Sequence, residues 1–205
     1  MSILGGARAT LNGFLFEQKT DLVDIVKSAG YSIKTETITR KKKKYYIHVL
    51  YEGSHRIGYF ANKWVFYYGF LEKHGIDWRT RISKQYFPDE AFINEVTNTV
   101  YIIEKKFQIR HGSTDEKLES CAFKLDRYQH LVAPTGMNVE YTYLCNSWFQ
   151  KPKYRDVIDY VRKHNCGFYF NSLPLHALGL TADKNRHPQQ IDCFVGVFLF
   201  FGVLE

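Results

Sequence analysis

From residue 12 to residue 170 the apolar positions switch between a helical and a strand period, and these switches outline one domain. Phe14, Leu15, Leu22, Ile25 and Val26 form a stripe between Asn12, a capping residue type, and Gly30, which predicts a helix over 12–28. Alternating β-branched and aromatic sequence predicts strands over 31–39 and 45–51, separated by Arg40-Lys41-Lys42-Lys43-Lys44. A second helix is expected over 64–74, stopped by Gly75. Two further strands follow, 87–94 and 100–108, with turn chemistry at Thr97-Asn98 between them.

Ser113 and Glu116 stand at capping-box spacing. Leu118, Cys121, Ala122, Leu125, Tyr128 and Val132 then recur at helical spacing. A strand over 139–145, a helix over 155–164 and a short strand over 168–170 complete the pattern. This alternation predicts an α/β fold: a single domain with a central mixed β-sheet flanked by helices. The domain is expected over 1–182, with 183–205 as a polar connector and an apolar tail. The tail's apolar run, 193–204, is too short to span a bilayer, which takes roughly 20 residues. A packed strand is the plain reading, with a partner-binding tail or sequence arising outside the ancestral domain as alternatives, and no membrane partner is expected.

Composition narrows the partners. The 205 residues carry a net charge of +7 and a pI near 9.1, which favours a polyanion through counterion release. Cys121, Cys145, Cys166 and Cys193 form no CxxC pair, so neither a zinc site nor a disulfide framework is indicated. Reduced, buried thiols in a cytoplasmic protein are expected, and the first residues lack the basic-then-apolar form of a signal peptide. No Ser/His/Asp set, Walker loop or dinucleotide glycine pattern is present.

The candidate chemistry lies in the two strands over 87–108. Pro88-Asp89 precedes Glu90, and Glu104-Lys105-Lys106 ends the next apolar run. Strand side chains alternate, so Glu104 and Lys106 share a face while Lys105 points away. Pairing of the strands brings Asp89 beside Glu104, with Glu90 on the opposite face. Two carboxylates and a lysine can hold Mg²⁺ and activate a water, because hard divalent cations take oxygen ligands. The competing reading is an ion-pair network on a hairpin, although a charge within an apolar strand is costly without a partner or a metal.

Pro88-Asp89 with Glu104-Lys105-Lys106 and Gln108, followed by Gly112-Ser113-Thr114-Asp115-Glu116, resembles the PD-(D/E)XK nuclease superfamily and its Type II restriction endonucleases. The resemblance implies an αβββαβ core over about 12–180. It also implies a Mg²⁺-dependent DNA endonuclease, with Mn²⁺ as a substitute, acting on double-stranded DNA as a homodimer. Other nucleases of the fold (repair, homing, nicking or heterodimer subunits) and a non-catalytic nucleic-acid-binding protein are the alternatives. In the nuclease reading Asp89, Glu104 and the backbone carbonyl of Lys105 ligate the metal, and Lys106 orients the attacking water. Gln108 contacts a phosphate or a water, or is plain polar surface. Glu17 resembles a first-helix glutamate that points to the metal in relatives, or is an ordinary helix acid.

Basic segments supply the expected DNA contacts: Arg40, Lys41, Lys42, Lys43 and Lys44 between two strands, Arg79 and Arg81 beside Trp78, and Lys151 and Lys153 near Tyr154. Solvated loops are the plain alternative for each. His111 is expected to be structural or exposed.

Overall fold

The computed structural model describes residues 3–110 and 114–181. Its centre is a seven-stranded mixed sheet in the order β1-β2-β3-β4-β5-β6-β7. The strands are β1 (Ser32–Arg40), β2 (Lys43–Glu52), β3 (His55–Phe60), β4 (Glu90–Asn94), β5 (Thr99–Lys106), β6 (Asn138–Cys145) and β7 (Gly167–Phe170). β1 to β5 run antiparallel, and β5, β6 and β7 run parallel. The helices are α1 (Ile3–Lys19), α2 (Leu22–Ser28), α3 (Thr114–Lys117), α4 (Cys121–Val132) and α5 (Arg155–Lys163). The chain is thus a single α/β domain with helices on both faces of a mixed sheet.

Strand alternation sorts the core into two layers. Ala91 and Ile93 of β4, Val100 and Ile102 of β5, and Tyr141 and Tyr143 of β6 face the layer that holds α4 and α5. Phe92, Tyr101, Ile103 and Leu144 face the layer of α1 and α2. β4 and the first six residues of β5 are buried throughout, so both faces of this pair are covered.

Several expectations shift. The single helix over 12–28 is two helices, and Asn12 lies inside α1 instead of capping it. The break falls at Asp21, whose extended backbone (φ −61°, ψ 122°) lets its side chain accept from Asp24 N at 3.1 Å and cap α2. Thr20 is fully buried and bonds back to Phe16 O at 2.7 Å. Stretch 52–63 suggested no element, yet β3 forms there after a turn at Gly53, where φ is +59°. Gly58 permits that pairing, since a Cβ there would stand 1.9 Å from Ile93 O.

The helix expected over 64–74 contains a π-helical run, Phe66–Leu71, and a 3₁₀ turn, Glu72–His74. It ends at Gly75 in the left-handed region, as its glycine implies. The strand expected over 87–94 starts only at Glu90, and the one over 100–108 stops at Lys106. The helix after the capping box is interrupted by a 3₁₀ turn, Leu118–Ser120. Cys121, Cys145 and Cys166 are buried free thiols. His111, Ser113, Cys193 and the segment 183–205 with its apolar run lie outside the described residues. Among the described residues no helix is long and apolar enough to cross a membrane.

Candidate active site

β4 and β5 place the charged residues by register. Glu90 pairs with Ile103, which sets Asp89, one residue ahead of the strand, at the level of Glu104. Asp89 Oδ2 accepts from Lys105 N at 2.9 Å, so the backbone of β5 fixes that carboxylate. Glu104 and Lys106 share the α4 face, and Lys106 Nζ donates to Glu104 Oε1 at 2.7 Å and to Lys105 O at 3.2 Å. Lys124, from α4, donates to the same Glu104 oxygen at 2.8 Å.

Lys124 belongs to no motif in the sequence. Its position, between Cys121 and Leu125 on the buried stripe of α4, is the signal that could have revealed it: a cation on an apolar helix face needs an anion across the layer.

Electrostatics divide the two acids. For Glu104, only 9% exposed, burial raises the pKa, but Lys106 and Lys124 outweigh it and hold the carboxyl below its ordinary range. Asp89 is raised, first by burial and then by the negative charge of Glu104; Lys106, the Lys105 N–H and Lys124 oppose this without cancelling it. The Tyr128 and Tyr141 hydroxyls are pushed up by burial and further by Glu104, so a layer of neutral rings lies beside that charge. The centre is one anion held by two ammonium groups, next to a second carboxyl whose ionisation is resisted.

The opposite face of the same strands holds a second buried pair. Lys105 Nζ is ion-paired with Glu90 Oε1 and also donates to Glu17 O at 3.3 Å. Glu90 Oε2 accepts from Leu22 N at 3.1 Å, at the first turn of α2. Burial, only partly offset by Lys105, pushes the Glu90 pKa up to about 7. Asp89, Glu90, Lys105, Asn62, Lys63 and Glu17 line a cavity of about 320 Å³. Glu17 is exposed on this side, and it is its carbonyl that binds Lys105.

Gln108 is buried and lies beyond the end of β5, so strand alternation does not carry from Lys106 to it. Asn146 brackets its backbone, accepting from Gln108 N at 3.1 Å and donating to Gln108 O at 2.8 Å.

A divalent cation fits the donor chemistry. Asp89, Glu104 and the Lys105 carbonyl are hard oxygen ligands, and a cation would favour the ionised form of Asp89 against the burial and the Glu104 charge that raise it. Among the described residues no group of three or more His, Cys, Asp or Glu side chains is arranged for a metal. A cation held here would therefore keep water and substrate oxygens in its remaining positions, as Mg²⁺ commonly does.

The basic residues are spread over several places. Arg40, Lys41 and Arg79 line a groove of about 510 Å³. Lys41 and Lys42 form the tip of the β1–β2 turn, with Lys43 and Lys44 exposed at the start of β2. Arg81 is tied to α4 through His130 O at 2.6 Å. Lys151 stacks on Trp148 and lines a separate cavity with Arg155 and Arg162, while Lys153 lies 4.4 Å from the Tyr154 ring centroid. Compared with family models, curated proteins and solved structures, the chain matches none.

Proposed function

We propose that the protein is a Mg²⁺-dependent phosphodiesterase acting on DNA, of the restriction-endonuclease kind that its motif resembles. The observation that carries this is the convergence of Asp89, Glu104 and Lys106 at the β4–β5 junction, with Glu104 ionised although nearly buried. The order of helix, antiparallel strands, helix and parallel strand is compatible with the αβββαβ core that the resemblance implies.

Asp89, Glu104 and the Lys105 carbonyl would hold the cation. When bound, it supplies Lewis-acid polarisation of a phosphoryl oxygen and lowers the pKa of a water. Lys106, which lies beside Glu104, would orient the attacking water and offset charge growing on the phosphate. Lys124 keeps Glu104 ionised over a wider pH range and tethers it to α4. The net charge of +7 suits a polyanionic substrate. Double-strand cleavage requires two such sites, hence a homodimer on duplex DNA.

A second reading, a nucleic-acid-binding protein without catalysis, is favoured by one observation. Two ammonium groups already neutralise Glu104, as in a purely structural ion cluster.

Long mixed-sequence duplex DNA incubated with Mg²⁺ or with EDTA decides between the two. Discrete fragments with Mg²⁺ alone, abolished in Glu104→Ala and Asp89→Asn, are expected. Intact DNA in all metals, with binding unaffected by Asp89→Asn, would leave the binding protein.

A further inference from the structure

The groove of about 510 Å³ near the candidate active site combines aromatic faces with the cations Arg40, Lys41 and Arg79 and the carboxylates Glu72 and Asp77. Trp64 is 42% exposed, large for a tryptophan whose ring already stacks on Tyr68 at 5.5 Å and 12°. Phe87 meets it edge-on at 4.6 Å and helps fix its orientation. Arg40 lies 6.0 Å from the Tyr68 ring centroid and is held by Glu72 at 3.1 Å. Arg79 is held by Asp77 at 2.9 Å, and Lys41 projects from the turn tip. Each arginine is oriented by its carboxylate and retains further N–H donors, because a guanidinium carries five.

We propose that this groove seats an unpaired stretch of the nucleic-acid substrate, with a base against Trp64 and phosphates on Arg40, Lys41 and Arg79. The aromatic wall is the reason for unpaired nucleotides. In a duplex each base face is covered by its neighbours and the phosphates lie outermost, so a ring in a groove wall reaches a base face only after unstacking. Aromatic platforms within cationic grooves bind single strands in this way, without sequence preference. The volume lies within the roughly 300–1,000 Å³ of clefts that hold small organic ligands.

The groove also leads to the site. Trp64 follows Asn62 and Lys63, which line the cavity that contains Asp89. Lys63 N donates to Pro88 O at 3.2 Å, pinning this segment one residue from Asp89, and Phe87 completes the junction. A strand leaving Trp64 toward this junction brings its next phosphates to the start of β4 at Asp89. The inference rests on the nuclease reading for the position of cleavage, but not for binding.

The test is equilibrium binding by the full chain in EDTA, measured by fluorescence anisotropy. The probes are single-stranded DNA, single-stranded RNA of the same sequence, a blunt duplex and a duplex with an unpaired overhang. Single-stranded and overhang probes are expected to bind at least about tenfold tighter than the blunt duplex. Trp64→Ala should cost about tenfold or more on those probes, the scale of one lost base stack. Lys41→Gln, on an exposed turn away from the core, should lower the salt slope by about 0.7, the contribution of one phosphate on a single strand. Whichever of DNA or RNA binds tighter names the source of the strand.

Equal affinity for blunt duplex and single strand, or wild-type binding by a folded Trp64→Ala, overturns the proposal. If Trp64→Ala does not fold, the unchanged salt slope of Lys41→Gln and Arg79→Gln overturns it instead. Trp64-dependent binding without any cleavage refutes the nuclease reading and leaves the groove. Duplex cleavage with Trp64-independent binding does the reverse.

Discussion

The buried pair behind the candidate site makes stability depend on pH in a way that one substitution removes. Glu90 has an ordinary pKa of 4.5 and is pushed to about 7 in the fold, chiefly by burial. Because its folded pKa is raised, the native state binds the proton more tightly than the unfolded chain does. Glu90 therefore leaves stability intact below about pH 4.5, and stability is lost as pH rises through about 7. At about 1.36 kcal/mol for each pH unit between the two values, the whole loss is roughly 3 kcal/mol, most of it between pH 5 and pH 8.

Glu90→Gln keeps an acceptor for Leu22 N and for Lys105, but has no proton to lose in this range. Urea unfolding of both proteins at intervals from pH 5 to pH 8 gives a difference curve in which titrating groups not coupled to Glu90 cancel. Relative to wild type, Glu90→Gln should gain about 2–3 kcal/mol across that range, whatever its offset at pH 5. A difference that stays constant to within about 0.5 kcal/mol, the scale of an inert surface substitution, would refute the reasoning.

Other outcomes follow from single contacts. Lys124→Met removes one of the two ammonium groups on Glu104; the carboxyl pKa should rise, and stability at pH 7 should fall by about 1–3 kcal/mol. Because the folded pKa of Glu104 is depressed, that deficit should shrink as pH falls through the folded value, which denaturant titrations at pH 7 and pH 4 would show. Gly58→Ala forces a Cβ against Ile93 O at the β3–β4 pairing, and unfolding measurements should show a loss of about 2 kcal/mol or more. Lys42→Gly should instead stabilise by about 0.5–1 kcal/mol in the same assay, since Lys42 holds φ 63° in a two-residue turn that glycine enters without strain.

Much of the candidate site could be read from local periodicity. Alternation along 100–106 is enough to put Glu104 and Lys106 on one face and Lys105 on the other, because a strand has a period of two wherever it forms. The same rule separates Asp89 from Glu90. Gly75 ended its helix because a left-handed residue there suits glycine, a property of one residue and its neighbours. What lay beyond local chemistry was the choice of partners. The apolar setting of Glu104 shows that it needs a cation, but only the packing of α4 on the sheet supplies Lys124. Lys105 was free to be a surface charge until α1 and α2 closed over Glu90. The break at Asp21 competes with a continuous helical stripe, and it prevails because burying Thr20 and bonding Leu22 N to Glu90 require the chain to turn. β3 is short and needs a glycine to approach β4, so its signal exists only once β4 is beside it. Periods of two and of 3.6 are set by the backbone and are legible in one chain. Contacts between residues far apart depend on which buried groups the whole fold must satisfy, and tertiary structure alone decides them.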